Sequence, residues 1–158
     1  MEKLSVEIQA FWQAFLRDSG QSRDKIPYSC FSFGTGEMAD RLLELVLIGK
    51  KRATTSCEAA YEKEGERLPC ANDLSIVLNR DGAPKCVIQN IRVRTLPFSQ
   101  MTWELAKKEG EDETLADWQA NHVRFFEEGL KSYGISFTPE LPVVFEEFEK
   151  VYPMVEKS

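Results

Sequence analysis

The chain has 158 residues, of which 42% are hydrophobic and 29% are charged, and its formal net charge is −6. These values are typical of a single globular domain, and they exclude a protein that attracts nucleic acid through its overall charge. No apolar run approaches the roughly 20 residues that cross a bilayer, and residues 1–5 lack the pattern of a secretory signal, so we expect a cytoplasmic protein without a membrane partner.

The cysteine and histidine content argues against a metal or redox site. The four cysteines are widely spaced and form no CxxC pair, and His122 is the single histidine. A zinc ribbon, a redox dithiol and a His-rich metal site all need other spacings. We therefore expect reduced cysteines, no metal ligands and no bound cofactor.

Hydrophobic periodicity divides the chain into short helices and strands. It predicts, in chain order, a helix over 5–17, a strand over 29–33, a helix over 38–48, a short helix over 57–64, strands over 74–78 and 85–96, a helix that begins after an N-cap at Thr114, and a closing strand over 142–152. The two strands on either side of the turn at 80–84 form a predicted β-hairpin. Because the chain has no regular βαβ alternation, we expect an α+β fold, a small and mostly antiparallel β-barrel flanked by helices.

The segment 49–56 contains the first candidate site residues. Gly49 suits the position after a helix end where φ is positive, and Lys50, Lys51 and Arg52 follow it. One interpretation is a solvated basic turn that leads into an ordinary strand. In the functional interpretation, apolar surface and neighbouring cations favour the neutral amine of Lys51, which then acts as a base toward the hydroxyl of Thr54.

A second candidate, Glu109, lies in an acidic segment between two helices. The ordinary interpretation is a solvated loop whose charge helps to start the next helix. A functional Glu109 would pair with Lys51, orient it and pass protons.

Trp118 and His122 are four residues apart on the predicted helix that follows Thr114, so they share a face with Phe125 and Phe126. A lone histidine on such a stripe is more often a hydrogen-bonded core residue than a catalyst. If a pocket reaches this face, Trp118 is expected to stack a nucleobase and His122 to donate a hydrogen bond to it.

The pattern as a whole resembles the ASCH family, small domains related to the PUA fold, and most closely its longer stand-alone bacterial members. The resemblance covers about 29–152 and makes 1–28 a helical extension of a single domain over 1–158. The matching segments are 31–34, 38–42, 46–56, 68–69, 73–77, 87–88, 97–98, 109–111 and 143–146, together with Trp118, His122 and the pair at 125–126.

The resemblance implies a β-barrel core with a cleft beside the lysine-containing loop that binds RNA or a nucleoside. In the small N4-acetylcytidine amidohydrolases, a lysine, a threonine three residues later and a distant glutamate form the catalytic set. These match Lys51 as base, Thr54 as nucleophile toward an amide carbonyl, and Glu109 as orienting proton carrier. This chain has 55–57 (TSC) where those enzymes have an Ile-Arg-Asp run, so an acetylcytidine substrate is a weaker expectation than the pocket.

Two alternatives to an amidohydrolase stay open. The first is a non-catalytic module for single-stranded RNA, with lysine and arginine on phosphates and a stacked base. The second is a metal-assisted ribonuclease in which Glu109, Glu111 and Asp112 hold a hard cation. The expected ligand-binding residues are Lys50, Arg52, Ser56, Trp118 and His122.

Overall fold

The structure is a computed structural model that describes residues 4–154, and this part of the chain contains five strands and five α-helices. In chain order they are α1 (Val6–Ser19), β1 (Ser29–Phe31), α2 (Glu37–Leu47), β2 (Ala53–Cys57), α3 (Glu58–Glu64), β3 (Leu74–Leu78), β4 (Pro84–Pro97), α4 (Trp103–Ala106), α5 (Leu115–Lys131) and β5 (Pro142–Tyr152). Two 3₁₀ turns, Phe98–Gln100 and Lys107–Glu109, flank α4.

The strands form one sheet in the order β1-β3-β4-β5-β2. Only β1 and β3 are parallel, and the other three pairs are antiparallel. The register shifts within the β3–β4 and β4–β5 ladders, and such irregularities bend and twist a sheet. The result is a five-stranded half-barrel with helices around it, which confirms the predicted α+β class and the mostly antiparallel barrel.

Local sequence signals account for most of the element boundaries. The predicted hairpin is β3–β4, and the predicted cap of α5 is present because Thr114 Oγ1 accepts a hydrogen bond from the Asp117 amide at 3.1 Å. Ser5 caps α1 in the same way, through the Ile8 amide at 3.2 Å. The strand predicted over 29–33 is shorter, since β1 ends at Phe31 and Phe33 instead packs beneath α2.

Helices pack on both faces of the sheet, and β2 and β5 direct alternate side chains to the two faces. One core cluster packs β2 and β5 against α4 and α5 and includes Ala53, Phe145 and Trp118. A second cluster packs α2 against Phe33 and Phe148. A third places α1 over β3 and β4. Successive residues of a strand face opposite sides, so neighbours in β2 belong to different environments.

None of the helices within residues 4–154 combines the length and the apolar character needed to cross a bilayer. All four cysteines are free thiols, with Cys57 and Cys86 buried and Cys70 exposed.

Candidate functional site

The end of α2 folds Lys51 into the protein. Gly49 has a φ of 81°, and the amides of Lys50 and Lys51 both donate to the carbonyl of Leu45, at 2.9 and 3.0 Å. These bonds close the helix end and turn the chain back toward the sheet. As a consequence the Lys51 side chain is 1% exposed, whereas Lys50 and Arg52 are exposed to solvent.

Acceptors surround the Lys51 ammonium group. Its Nζ donates to the Ala53 carbonyl at 2.9 Å and to Glu111 Oε2 at 2.6 Å, and it lies 3.5 Å from Glu109 Oε1. It also lies 5.1 Å from the centre of the Phe33 ring. The neighbouring cations Lys50 and Arg52 are exposed to solvent, and the groups that surround Nζ are three oxygen atoms.

Gly110 makes this arrangement possible. Its φ is 75°, and a Cβ atom at this position would lie 2.6 Å from the Lys50 carbonyl oxygen. The Arg52 amide donates to the Lys108 carbonyl at 2.8 Å, so the two backbones run side by side here. Only glycine allows so close an approach, and the approach brings both Glu109 and Glu111 within reach of Lys51.

Glu109 is the centre of a buried hydrogen-bond network and is itself 2% exposed. Its Oε2 accepts from Thr55 Oγ1 at 2.8 Å and from Trp118 Nε1 at 2.6 Å, and His122 Nε2 lies 3.4 Å away. The predicted pairing with Lys51 is present. The hydroxyl that Glu109 contacts is that of Thr55 and not that of Thr54, because these adjacent residues of β2 face opposite sides.

The network fixes the charges of its members. Burial alone would raise the pKa of Glu109, but the hydrogen bond from His122, the Lys51 ammonium and the Trp118 indole together lower that pKa to about 2. Burial lowers the pKa of His122, yet Glu109 outweighs this effect and the pKa is raised overall. Glu109 is thus an ionised carboxylate that favours a protonated His122.

The prediction that Trp118 stacks a nucleobase and that His122 donates to it is wrong. Trp118 is 0% exposed, and its ring stacks on Phe98 at 5.4 Å and on His122 at 4.0 Å. His122 Nδ1 lies 2.9 Å from the Trp118 carbonyl, and Nε2 faces Glu109. Both imidazole nitrogens already have partners in the protein, so the ordinary interpretation of a hydrogen-bonded core histidine applies.

A cleft of about 1160 Å³ lies on the other face of β2. Thr54, which stands opposite Glu146 in the β2–β5 register, lines it together with Ser56. The hydroxyls of Ser56 and Tyr61 are 2.8 Å apart, and burial raises the pKa of Tyr61 to about 12, so this phenol is neutral. The predicted residues Thr54 and Ser56 are therefore available to a ligand. Lys51 lies beneath the cleft, against Phe33 in its lining.

The cleft offers an anion little attraction. Among the residues that line it, the cations are Lys25 and Arg67, and the acids are Glu66, Asp73 and Glu146. Arg67 binds both carboxylate oxygens of Asp73, each at 3.1 Å, and lies over the Tyr28 ring. Lys50 and Arg52, predicted to contact a ligand, do not line the cleft.

The acids proposed for a metal site have other partners. Glu109 and Glu111 both contact Lys51, and Asp112 Oδ1 accepts from Asn121 Nδ2 at 2.6 Å. Within residues 4–154, no group of three or more histidine, cysteine, aspartate or glutamate side chains is arranged to hold a metal ion.

Most residues that line the cleft were not predicted as site residues, and Phe125 and Glu146 are among those that were missed. Phe125 was assigned to the apolar stripe of α5, but its side chain is 63% exposed and only its neighbour Phe126 is buried. Glu146 stands in the apolar run of β5, where an acid is unusual, and that interruption was the available signal.

Comparisons with known proteins identify the family and the fold of the chain. A family model described as the ASCH domain matches residues 29–152. A crystal structure of a protein from Enterococcus faecalis is 34% identical, with a TM-score of 0.86 over 92% of this chain and 88% of that one. The crystal structure of an ASCH domain from Lactobacillus crispatus is 30% identical, with a TM-score of 0.81 over 95% of this chain and 98% of that one. A comparison with curated proteins gives no match.

The Glu109 network predicts a large loss of stability on substitution. Glu109→Gln leaves the Lys51 ammonium with one carboxylate fewer in a buried site, and we expect the free energy of unfolding to fall by about 3 kcal/mol in urea denaturation. Glu113→Gln, at an exposed position of the same segment, is the matched control and should change it by less than about 0.5 kcal/mol. Equal stability of the two variants would contradict the network.

The same network predicts a pH dependence of stability. The Glu109 contribution is complete above its ordinary pKa of 4.5 and is lost as the pH falls toward about 2. The His122 contribution is complete below its ordinary pKa of 6.5 and is lost as the pH rises through the raised value. The measurement is the free energy of unfolding in urea of the wild type and of His122→Gln at a series of pH values. The difference, wild type minus variant, should be constant between pH 4.5 and pH 6.5 and should decline above pH 6.5. A flat difference up to alkaline pH would contradict the pairing.

Proposed function

Since the chain belongs to the ASCH domain family, we propose that its cleft binds a single nucleoside or a very short single strand of RNA. The observation that carries this proposal is the combination of polar and aromatic groups in a cleft whose two cations, Lys25 and Arg67, are outnumbered by three acids. Hydroxyls line one wall, an exposed phenylalanine lies at the rim, and the arginine in the lining is already paired with Asp73.

The charge distribution favours a nucleoside over a long RNA. A protein that grips several phosphates needs lysine or arginine along the path of the backbone. The cleft has two cations against three acids, and the chain as a whole carries a charge of −6. Binding energy must therefore come from stacking and hydrogen bonds to the base and sugar, which are also available in a free nucleoside.

Phe125 is the residue we propose to stack on the base. It is 63% exposed on α5, lines the cleft, and is held edge-on by Phe126 at a ring distance of 5.6 Å. An exposed phenylalanine ring leaves a large apolar surface in contact with water. A base that covers the ring removes this surface from water, which favours binding.

The first test measures nucleoside affinity as a function of salt. By calorimetry, cytidine should bind with an affinity that is nearly constant as salt rises, because no counterions are released from phosphates. Phe125→Ala should weaken this binding by about 1–3 kcal/mol, the usual contribution of a stacked base. Ile91→Ala, which truncates an exposed residue of β4 outside the cleft, is the control and should have no effect.

Contrary results have a clear meaning. Tight binding of a short oligonucleotide that falls steeply with salt, with no binding of free nucleosides, would replace this proposal by the RNA module. Unchanged affinity in Phe125→Ala would remove the stacking role but leave the cleft.

Hydrolysis of an N-acyl group on the nucleoside is the second candidate function, and the observation that favours it is the buried Lys51 next to the peptide of Thr54. Lys51 Nζ donates to the Ala53 carbonyl, which directly precedes Thr54. In this proposal the ammonium passes a proton to Glu111, 2.6 Å away, and the free amine takes the hydroxyl proton of Thr54 as Thr54 Oγ1 forms a bond to the acyl carbon. The bond between the acyl carbon and N4 then breaks, the leaving N4 takes that proton from Lys51, and water hydrolyses the acyl–threonine ester to release the acid and regenerate the hydroxyl. Glu109 keeps the lysine in place.

The second test is turnover of an N4-acylated cytidine. Thr54→Val keeps a β-branched residue in β2 and removes the nucleophile, so we expect release of the acyl group to fall by at least about a hundredfold. Thr95→Val, an exposed threonine of β4, is the control. Melting curves of both variants separate lost chemistry from lost folding. Full turnover by Thr54→Val would eliminate this mechanism while leaving nucleoside binding untouched.

A further inference from the structure

Glu146 lies in the middle of β5 with its carboxyl group in the cleft, and neither proposed function uses it. It stands opposite Thr54 in the strand register, and Asn90 Nδ2 donates to its Oε1 at 3.0 Å. Within residues 4–154 no lysine, arginine or histidine forms an ion pair with it, in contrast to its neighbour Glu147, which contacts both Arg94 and Lys108. A half-buried carboxyl group without a cation is unusual.

The geometry distinguishes the two oxygens of Glu146. Asn90 Nδ2 also approaches the Cys70 carbonyl at 3.4 Å. A carbonyl can only accept, so the amide group on this side is the NH₂, and Oε1 of Glu146 is fixed as an acceptor. The other oxygen, Oε2 of Glu146, has no hydrogen-bond partner in the described part of the chain. It is nevertheless not a buried atom without a partner, because Arg94 Nε is the one such side-chain nitrogen or oxygen there. Oε2 is therefore accessible, and it opens to the cleft that Glu146 lines.

The surroundings favour the neutral form of this carboxyl group. Burial raises the pKa of Glu146, and the nearby Asp73 raises it further against the opposing effect of the Asn90 hydrogen bond. The other ionisable groups that face it are the phenols of Tyr28 and Tyr61, whose own pKa values are raised. Arg67 is paired with Asp73 and is not available to Glu146.

We propose that Glu146 acts as a neutral carboxylic acid that selects ligands carrying one hydrogen-bond donor directly beside one acceptor. The Oε2–H group donates into the cleft, and the remaining lone pair of Oε1 accepts. This inference rests on the proposed nucleoside binding and specifies which bases the cleft takes.

The protonation state of Glu146 decides which base edges can pair with it. Cytosine presents its N3 acceptor beside the N4–H donor, and an acyl group on N4 still leaves one N–H there. Adenine and uracil also offer one donor next to one acceptor. Guanine offers both arrangements, because its N1–H donor lies beside the O6 acceptor on one side and beside the N2–H₂ donors on the other, so it pairs with the neutral acid and also with the ionised carboxylate.

The test compares the affinities of cytidine and guanosine for wild type, Glu146→Gln and Glu149→Gln from pH 5 to pH 8.5 by calorimetry. Glutamine reproduces the neutral acid, with its carbonyl toward Asn90 and its NH₂ toward the cleft. We expect the affinity of wild type for cytidine to fall by roughly tenfold or more as Glu146 ionises, while the affinity for guanosine is kept, because only guanine presents two adjacent donors to the carboxylate. Glu146→Gln should bind cytidine with the same affinity at every pH, and the exposed control Glu149→Gln should behave as wild type.

The protonation state is checked without a ligand, from the pH dependence of the ¹³C shift of the Glu146 carboxyl carbon. A midpoint at or below that of Glu149 would overturn the inference. So would a cytidine affinity of wild type that does not fall relative to the guanosine affinity as the pH rises, or a loss of cytidine binding in Glu146→Gln. If no nucleoside binds to wild type, the proposed function fails and this inference with it, whereas binding without the expected selectivity removes the inference alone.

Discussion

The Glu109 carboxylate joins three parts of the chain that are distant in sequence. It accepts from Thr55 on β2 and from Trp118 on α5, and it lies within 3.5 Å of the Lys51 ammonium at the end of α2. Burying a carboxylate costs free energy unless hydrogen-bond donors contact its oxygens. Moving any of these donors away would restore part of that cost, so the carboxylate keeps each donor in position. The position of α5 against β2, and hence the wall of the cleft, depends on this one group.

The pairing of the buried cations with acidic groups also limits what the cleft can bind. The most deeply placed cation, Lys51, is surrounded by carboxylates and the Ala53 carbonyl, and Arg67 is taken up by Asp73. The basic run at 50–52 looked like a phosphate site in the sequence, but its buried member serves the fold and its outer members lie away from the cleft. Besides Lys25, a ligand in the cleft finds hydroxyls, an aromatic ring and a carboxyl group, which are the partners of a base or sugar.

Periodicity was sufficient for the fold, because the elements are amphipathic and their ends carry recognisable residues. Gly49 after α2 and Thr114 before α5 were correctly placed from sequence alone, as was the β3–β4 hairpin. The short α4 and its flanking 3₁₀ turns were missed, because four residues are too few to show a period. Their location matters, since the second of these turns carries Glu109.

The site could be predicted only in part, because the deciding information is which face of an element a residue occupies. The spacing of three residues between Lys51 and Thr54 does not show toward which face of the sheet each side chain points. Once β2 is known to begin at Ala53, the alternation of side chains along the strand places Thr55 toward Glu109 and Thr54 toward the cleft. On α5 the aromatic positions all fall on one broad arc. Trp118 lies within it and Phe125 at its edge, so only packing against the sheet shows which ring is free.

The same strand pair therefore carries a structural face and a ligand face, and the two cannot vary independently. Thr55 and Phe145 face the Glu109 network and the α5 core, while Thr54 and Glu146, one residue along each strand, face the cleft. A shift of register by one residue would exchange the two sets. Because the buried hydrogen bond of Thr55 helps to fix that register, we expect substitutions at Lys51 or Glu109 to impair ligand binding without any contact to the ligand. Separating a structural role from a catalytic one thus requires variants on the cleft face, where a hydroxyl or carboxyl group can be removed while the buried network stays intact.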